Sequence, residues 1–357
     1  MEISELGEFG LIDRLAKDIT VKNPTTIKGI GDDCAILSPT EGLQTVVTTD
    51  LLMEGVHFDL TYVPLKHLGY KAVMVNLSDV FAMNAQPRQL TVSLAISSKF
   101  KVEDIEALYD GMRLACEKWG VDIIGGDTTS SRMGLCISIT AIGEARPEDL
   151  VLRSGAQPTD LICVSGNLGA AYMGLQLLER ENSIYNQQVE EARRSGNKAQ
   201  LEALAGLQPD FSGREYLLER QLKPEARGDI ISALRQAGIR PPRMMDISDG
   251  LRSELMHICQ QSQTGCRIYE ERLPLDYQTA AMAEELNMNV STCALNGGED
   301  YELLFTVPLT ANEAVSQLED VRVVGYVTEA SKGCALITRD GNEFALKAQG
   351  WNPLKDN

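Results

Sequence analysis

The chain has 357 residues, 43% of them hydrophobic, which is enough apolar material for two packed domains. Its formal net charge of -18 and pI near 4.7 argue against a nucleic-acid or anionic-membrane partner, because both need basic patches. Eight cysteines without a CxxC pair, beside three histidines, read as neither a zinc site nor a disulfide framework, and a reduced, cytoplasmic setting is expected.

The first residues, MEISELGEFGLIDRLAKDI, are acidic and amphipathic rather than signal-like. Phe9, Ile12, Leu15, Ala16 and Ile19 recur at helical spacing and predict a helix over 8–18. A turn at 29–33 precedes a β-branched strand over 43–48, which should end at Thr49 and Asp50. Residues 65–81 read as a helix with Leu68, Ala72, Val75 and Val80 on its apolar face, and it places Asn76 and Asp79 on one side. A strand over 89–96, a helix over 103–119, a short strand over 121–124 running into a Gly-Gly-Asp turn, and a strand over 135–142 complete this half.

Pro147, Gly155 and Pro158 interrupt the periodicity over 145–160, so the domains are expected at 1–148 and 149–357. The second half opens with a strand over 161–165 and a helix over 170–179. A polar stretch over 180–213 then reads as a solvated helical insertion. Helices over 227–237, 250–262 and 277–286 alternate with strands over 243–247, 267–269, 301–307, 321–327 and 334–338. Both domains are therefore expected to be α/β (α+β). No apolar run approaches the roughly 18 to 20 residues that span a bilayer.

Seven aspartates lie in Gly/Ser/Thr-rich signals: GIGDD with Asp32 and Asp33, TTD with Asp50, NLSD with Asp79, GGDTT with Asp127, and DISDG with Asp246 and Asp249. None of these signals contains Lys or Arg. Taken singly, each acid suits a turn, where its short side chain bonds to nearby backbone. Taken together they repeat one design, a strand or turn that ends in a carboxylate beside a hydroxyl or glycine. Two carboxylates about 4 Å apart repel by roughly 1 kcal/mol in water and about 4 kcal/mol in a partly buried site. A gathered set demands cations, and hard oxygen ligands suit Mg²⁺ together with substrate phosphates.

There is no GxxxxGK[ST] loop and no kinase-type glycine loop with a strand lysine, so a nucleotide would meet metal ions instead. Ser248 fits either an anion contact at a helix N-terminus or a plain N-cap. Arg153, at the domain junction, suits either a phosphate or an interdomain salt bridge. His57 taken alone reads as a structural histidine, and Trp351 serves either to cap the core or to stack on a ligand ring.

The ordered series GIGDDCA, TTDLLMEGVHF, NLSDVFAMNAQP, GGDTT, RSGAQPTD, DISDGL and NGGEDYELLF resembles the bacterial thiamine-monophosphate kinase family. That family belongs to the ATP-dependent aminoimidazole ribonucleotide synthetase-like superfamily. The resemblance implies a two-domain fold with the site in the groove between domains, a homodimer formed through the N-terminal domain, and transfer of the ATP γ-phosphoryl group to thiamine monophosphate. It further implies that Asp33, Thr48, Thr49, Asp50, Asp79, Asp127, Asp246 and Asp249 hold several Mg²⁺ ions, with room for a monovalent cation. Tyr109, Gly126, Arg153 and Ser248 would contact ATP. His57, Glu299 and Trp351 would contact thiamine monophosphate. Two departures stand out: the long polar stretch over 180–213, and GWNPL in place of a Gly-Trp-Asp-His-Phe type ending.

Overall fold

A computed structural model describes residues 3–30, 34–206 and 209–346. In chain order, α1 (Ile3–Ala16) leads through the two-stranded β1 (Thr26–Lys28) and β2 (Ile36–Leu37) to β3 (Gln44–Met53), α2 (Leu65–Ala82), β4 (Gln86–Ser97), α3 (Val102–Trp119), β5 (Asp122–Ser131) and β6 (Cys136–Ala145). After β7 (Leu161–Ser165) come the helices α4 (Ala170–Arg194), α5 (Lys198–Ala205), α6 (Glu215–Leu222) and α7 (Gly228–Gln236). The chain continues with β8 (Arg243–Ile247), α8 (Leu251–Ser262), β9 (Thr264–Tyr269), α9 (Tyr277–Glu285), α10 (Val290–Asn296) and β10 (Glu302–Val307). It closes with α11 (Asn312–Ser316), β11 (Val321–Glu329), β12 (Cys334–Ile337) and β13 (Glu343–Ala345). The mixed α/β character expected from the alternation is what the chain adopts.

Four strands form one sheet in the order β3-β6-β4-β5, and seven form another in the order β13-β12-β9-β11-β7-β10-β8. In the first sheet, Val92, Leu94 and Ile96 of β4 and Ile137, Ile139 and Ala141 of β6 alternate inward and are buried. Helices α2 and α3 cover that face. They approach closely because Gly69 and Gly111 carry no side chain: a Cβ at Gly69 would lie 1.9 Å from the Leu108 carbonyl oxygen, and one at Gly111 1.8 Å from that of Lys66. Helix α2 is buried nearly all round, from Leu68 to Ala82, because β8, α6 and α7 of the second half pack on its other side. It is the element shared by both halves.

Three sequence expectations change. Strand β3 does not end at Asp50 but runs on to Met53, so Asp50 is an in-strand residue. The Gly-Gly-Asp segment is not a turn; it lies inside β5, which continues to Ser131. Pairing with β4 passes from Leu90–Ile123 to Thr91–Gly125, leaving Ile124 as a bulge. Gly126 follows because a Cβ there would sit 1.7 Å from the Val92 carbonyl oxygen. The polar stretch over 180–213 is helical as expected, but much of it is a direct continuation of α4, which reaches Arg194.

Candidate active site

Strand alternation decides which of the Thr-Thr-Asp side chains can meet α2. Val46, Thr48, Asp50 and Leu52 face the helix, whereas Val47, Thr49, Leu51 and Met53 face outward. The Thr48 hydroxyl donates to Asp79 Oδ2 at 2.5 Å, and the Asp50 N–H donates to Asn76 Oδ1 at 3.1 Å. Asn76 is itself fixed by donating to the Ala72 carbonyl at 3.0 Å. One turn of α2 thus locks the end of the sheet that presents Asp50.

From the other half, Asp246, one residue before the end of the buried strand β8, accepts a hydrogen bond from the Ser78 hydroxyl of α2 at 2.7 Å. Ser248 and Asp249 follow in the turn before α8. The N-cap of α8 is Gly250, at φ 109°, so Ser248 is not the cap. Glu254, 1% exposed, orders this turn instead: it accepts from the Asp249 N–H at 2.7 Å and from the Ser248 hydroxyl at 3.3 Å.

The acids of the Gly-Gly-Glu-Asp-Tyr-Glu run divide their work. Asp300 is buried and accepts from the Gly169 N–H at 2.7 Å at the start of α4. Glu302 is buried between Arg220 and Arg227. Glu299 turns toward the first half, where Lys71 Nζ lies 2.9 Å from Oε1 and Gln221 Nε2 donates to Oε2 at 2.9 Å. Glu299 and Tyr301 hold left-handed φ values of 65° and 51°, held there by backbone bonds to Ser248 and Ile247. Such conformations are uncommon for residues with a Cβ and cluster at functional sites.

One cavity of about 660 Å³ lies between the two sheets. Asp50, Asp79, Asp246, Ser248 and Asp249 occupy one part of its wall, and Lys71, His57, Glu299 and Gln221 another, with Phe58, Tyr62, Tyr172 and Leu222 supplying apolar surface. Burial, and then the charge of Asp79, raises the Asp50 carboxyl to about 6. Asp246 is pushed up in the same way, by burial first and by Asp79 next, and burial raises Asp249 as well. His57, whose Nδ1 accepts from the Met53 N–H at 3.1 Å, is held below the usual imidazole range, by desolvation first, with Lys71 adding to the effect. The acids frame a volume rather than a point. Among the described residues, no three of their oxygens close to within 4.8 Å of one another. That spacing suits Mg²⁺ ions that keep part of their shell for water and phosphate.

Other expected residues lie elsewhere in the single chain. Thr49 points away from the cavity and donates to the Ile139 carbonyl at 3.0 Å. Asp127 pairs with Ser93 on the outward face of the edge strand β5, three strands from β3. Gly126 precedes it on that strand, Arg153 is exposed outside the cavity, and Tyr109 is packed in the core between α3 and its neighbours. Asp33 and Trp351 fall outside the described residues. Lys71, Gln221 and Glu254 carry no motif signal.

The pattern of the AIR synthase related protein, N-terminal domain, matches residues 31–145. Thiamine-monophosphate kinase of Bacillus subtilis strain 168 is 33% identical over 358 aligned residues, covering 98% of this chain and 100% of that protein. The chain belongs to the thiamine-monophosphate kinase family. Two solved members of the family superpose along most of their length. The thiamine-monophosphate kinase of Stenotrophomonas maltophilia K279a matches at TM-score 0.75 and 30% identity over 95% of this chain and 98% of that one. AaThiL complexed with AMPPCP and TMP matches at TM-score 0.71 and 33% identity over 98% of each chain.

Proposed function

We infer that this protein transfers the γ-phosphoryl group of ATP to the phosphate of thiamine monophosphate, giving thiamine diphosphate and ADP, the last step of thiamine diphosphate formation. The observation that carries the reading is the convergence of Asp50 and Asp79 from one half with Asp246 and Asp249 from the other on a single cavity. Family membership and the AMPPCP and TMP held by a related structure support it.

The acceptor phosphate is largely ionised near neutral pH, since a monoester has its second pKa near about 6. No general base is needed. The requirement is to hold two anions together and in line. Asp50, Asp79, Asp246 and Asp249, with Thr48, are an all-oxygen donor set that would hold Mg²⁺, and the bound ions would neutralise the phosphates. Asp33 and Asp127 extend that set. Ser248 lines the cavity and would contact ATP there, whereas Gly126 and Arg153 lie outside it in their own chain and are assigned to ATP on the family resemblance alone. His57 and Glu299 stand at the acceptor side, where Trp351 would join them. A monovalent cation is compatible with this oxygen-rich site.

The working protein is proposed to be a homodimer of chains divided near 148, cytoplasmic, and without nucleic-acid or membrane partners. Support for the dimer comes from the outward face of the four-stranded sheet, where Val47, Leu51 and Met53 are 64%, 52% and 43% exposed. Asp127 lies on that face, with Gly126 beside it in β5, so a second copy seated there would bring this edge of the sheet near a site that it does not reach within its own chain.

Incubation with Mg-ATP and thiamine monophosphate should yield thiamine diphosphate and ADP in equal amounts. A folded protein that forms ADP without the diphosphate, or neither product, would refute the kinase.

A further inference from the structure

Cysteine spacing argues against a metal site along the sequence, but the fold overrides that reading. The Sγ atoms of Cys259, Cys266 and Cys334 all lie within 4.8 Å of one another, the sole such trio of potential ligands among the described residues. Cys334 and Cys266 are register partners in the parallel pair β12–β9, so their side chains leave the sheet on the same side. Cys259 reaches them from the last turns of α8, which packs on β9. The trio belongs to the second half's own core and shares no residue with the active-site cavity.

We propose that Cys259, Cys266 and Cys334 form a three-thiolate site for cuprous copper. Three cysteines in a core are otherwise small hydrophobes, and Ile258, Ile268 and Val327 are the kind of neighbours that role would need. Convergence of three sulfurs on one point goes beyond that role. A metal–sulfur bond of about 2.3 Å places the sulfurs of a trigonal centre about 4 Å apart, so the site closes with side-chain shifts of about 1 Å or less.

The donor set selects the ion. Structural Zn²⁺ is almost always four-coordinate, and no fourth His, Cys, Asp or Glu among the described residues joins the trio. Soft thiolates with low coordination suit Cu⁺. Cys266 is fully buried, Cys259 is 3% exposed, and Cys334 lies at the edge, which provides entry. Arg267 adjoins the site, its guanidinium bonded to the carbonyls of Cys266 and Gly333 and paired with Glu343 at 3.2 Å. Each copper–sulfur bond formed releases one thiol proton to solvent. Copper stays cuprous and no electron moves.

The test is anaerobic titration of the reduced, full-length protein with Cu⁺ in competition with bathocuproine disulfonate. One copper per chain should leave the chelator, with thiolate-to-copper absorption in the near ultraviolet and a rise in melting temperature. Partners beyond the ligand shell alone change metal affinity by about 10–100-fold, so Cys334→Ser should weaken binding by at least about tenfold. Cys34→Ser, at an exposed position outside the trio, should leave it unchanged. Cys266→Ala should abolish binding; if that variant does not fold, Cys334→Ser at its half-buried position decides. The proposal is overturned if the wild type takes no copper from the chelator, or if Cys334→Ser binds as tightly as wild type.

Discussion

Lys71 Nζ stands 2.9 Å from Glu299 Oε1, and the lysine side chain is 5% exposed against 27% for the glutamate. The pair joins α2 of the first half to the strained loop before β10. Gln221 completes it from α6, accepting from Lys71 at its carbonyl, at 3.1 Å, and donating to Glu299 Oε2 through its amide. An ammonium so enclosed persists because it is paired, and the open side of Glu299 faces the cavity beside His57.

Lys71→Met should therefore act on the acceptor side. Removing one partner of an enclosed pair leaves the other charge uncompensated, at a cost of up to about 3–5 kcal/mol when burial is complete and less here, since Glu299 is partly open. The KM for thiamine monophosphate should rise about tenfold or more, while the KM for ATP stays within about twofold, with a lowered melting temperature. Steady-state kinetics with each substrate varied at saturating levels of the other will read this. Equal rises in both KM values would remove the pair from the acceptor site.

Asp50→Asn should move activity and stability in opposite directions. The carboxylate is half-buried near Asp79 and receives no cation from the chain among its described hydrogen bonds. Its loss should lower kcat by at least about a hundredfold if it helps hold the metal that neutralises the phosphates. In metal-free protein the same change relieves repulsion worth roughly 1–4 kcal/mol and should raise the melting temperature. A destabilised Asp50→Asn protein would mean that the carboxylate serves the fold.

Legibility differed between the two parts of the site. The Asp246 and Asp249 motif was readable because it lies at a strand-to-helix junction, where chain direction and side-chain type are local properties, whereas Asp50, Asp79 and Asp127 lie within regular elements and were readable only as residue types; strands 161–165 and 243–247 also fall where their apolar runs place them. Lys71 was hidden because a lysine on an apolar helix looks like an ordinary solvated residue until α6 covers it. Gln221 sits in a helix that follows a polar stretch without clear periodicity. The Gly125-Gly126 pair looked like a turn because a bulge and a turn call for the same residue. The cysteine trio depends on β12 pairing parallel with β9, a long-range contact that no spacing encodes.

The contribution of Asp50 to the stability of the metal-free protein should fall as pH rises through the acidic range. Asp50 has a folded value of about 6 against an ordinary value near about 3.9, so the folded state holds the extra proton between those limits. Its contribution is complete below about pH 4 and is lost as pH rises through about 6. Asp246, also raised, pulls in the same direction. Thermal melts with EDTA should show a shallower slope in this window for Asp50→Asn than for wild type, and added Mg²⁺ should stabilise the wild type more at pH 7.5 than at pH 5. Identical slopes in the two proteins would assign the loss to other groups.

The outward face of the first sheet carries the remaining prediction. Asp127 and Leu51 lie in one row, linked through Ser93 and Ser138, with three strand spacings of about 4.8 Å between them. That row faces away from α2 and α3, so no side-chain movement within one chain carries Asp127 round to Asp50. Exposed Val47, Leu51 and Met53 on the same face are the kind of contiguous apolar surface that marks an interface. Leu51→Lys should leave the monomer folded, because the side chain is 52% exposed, and should shift the protein from dimer to monomer in sedimentation. If Asp127 serves the site of a second copy, turnover per chain should fall with dissociation and recover partly at high protein concentration. An Asp127→Asn protein should by contrast remain dimeric and lose activity at every concentration. A fully active Leu51→Lys monomer would show that each chain works alone and that Asp127 lies outside the reaction.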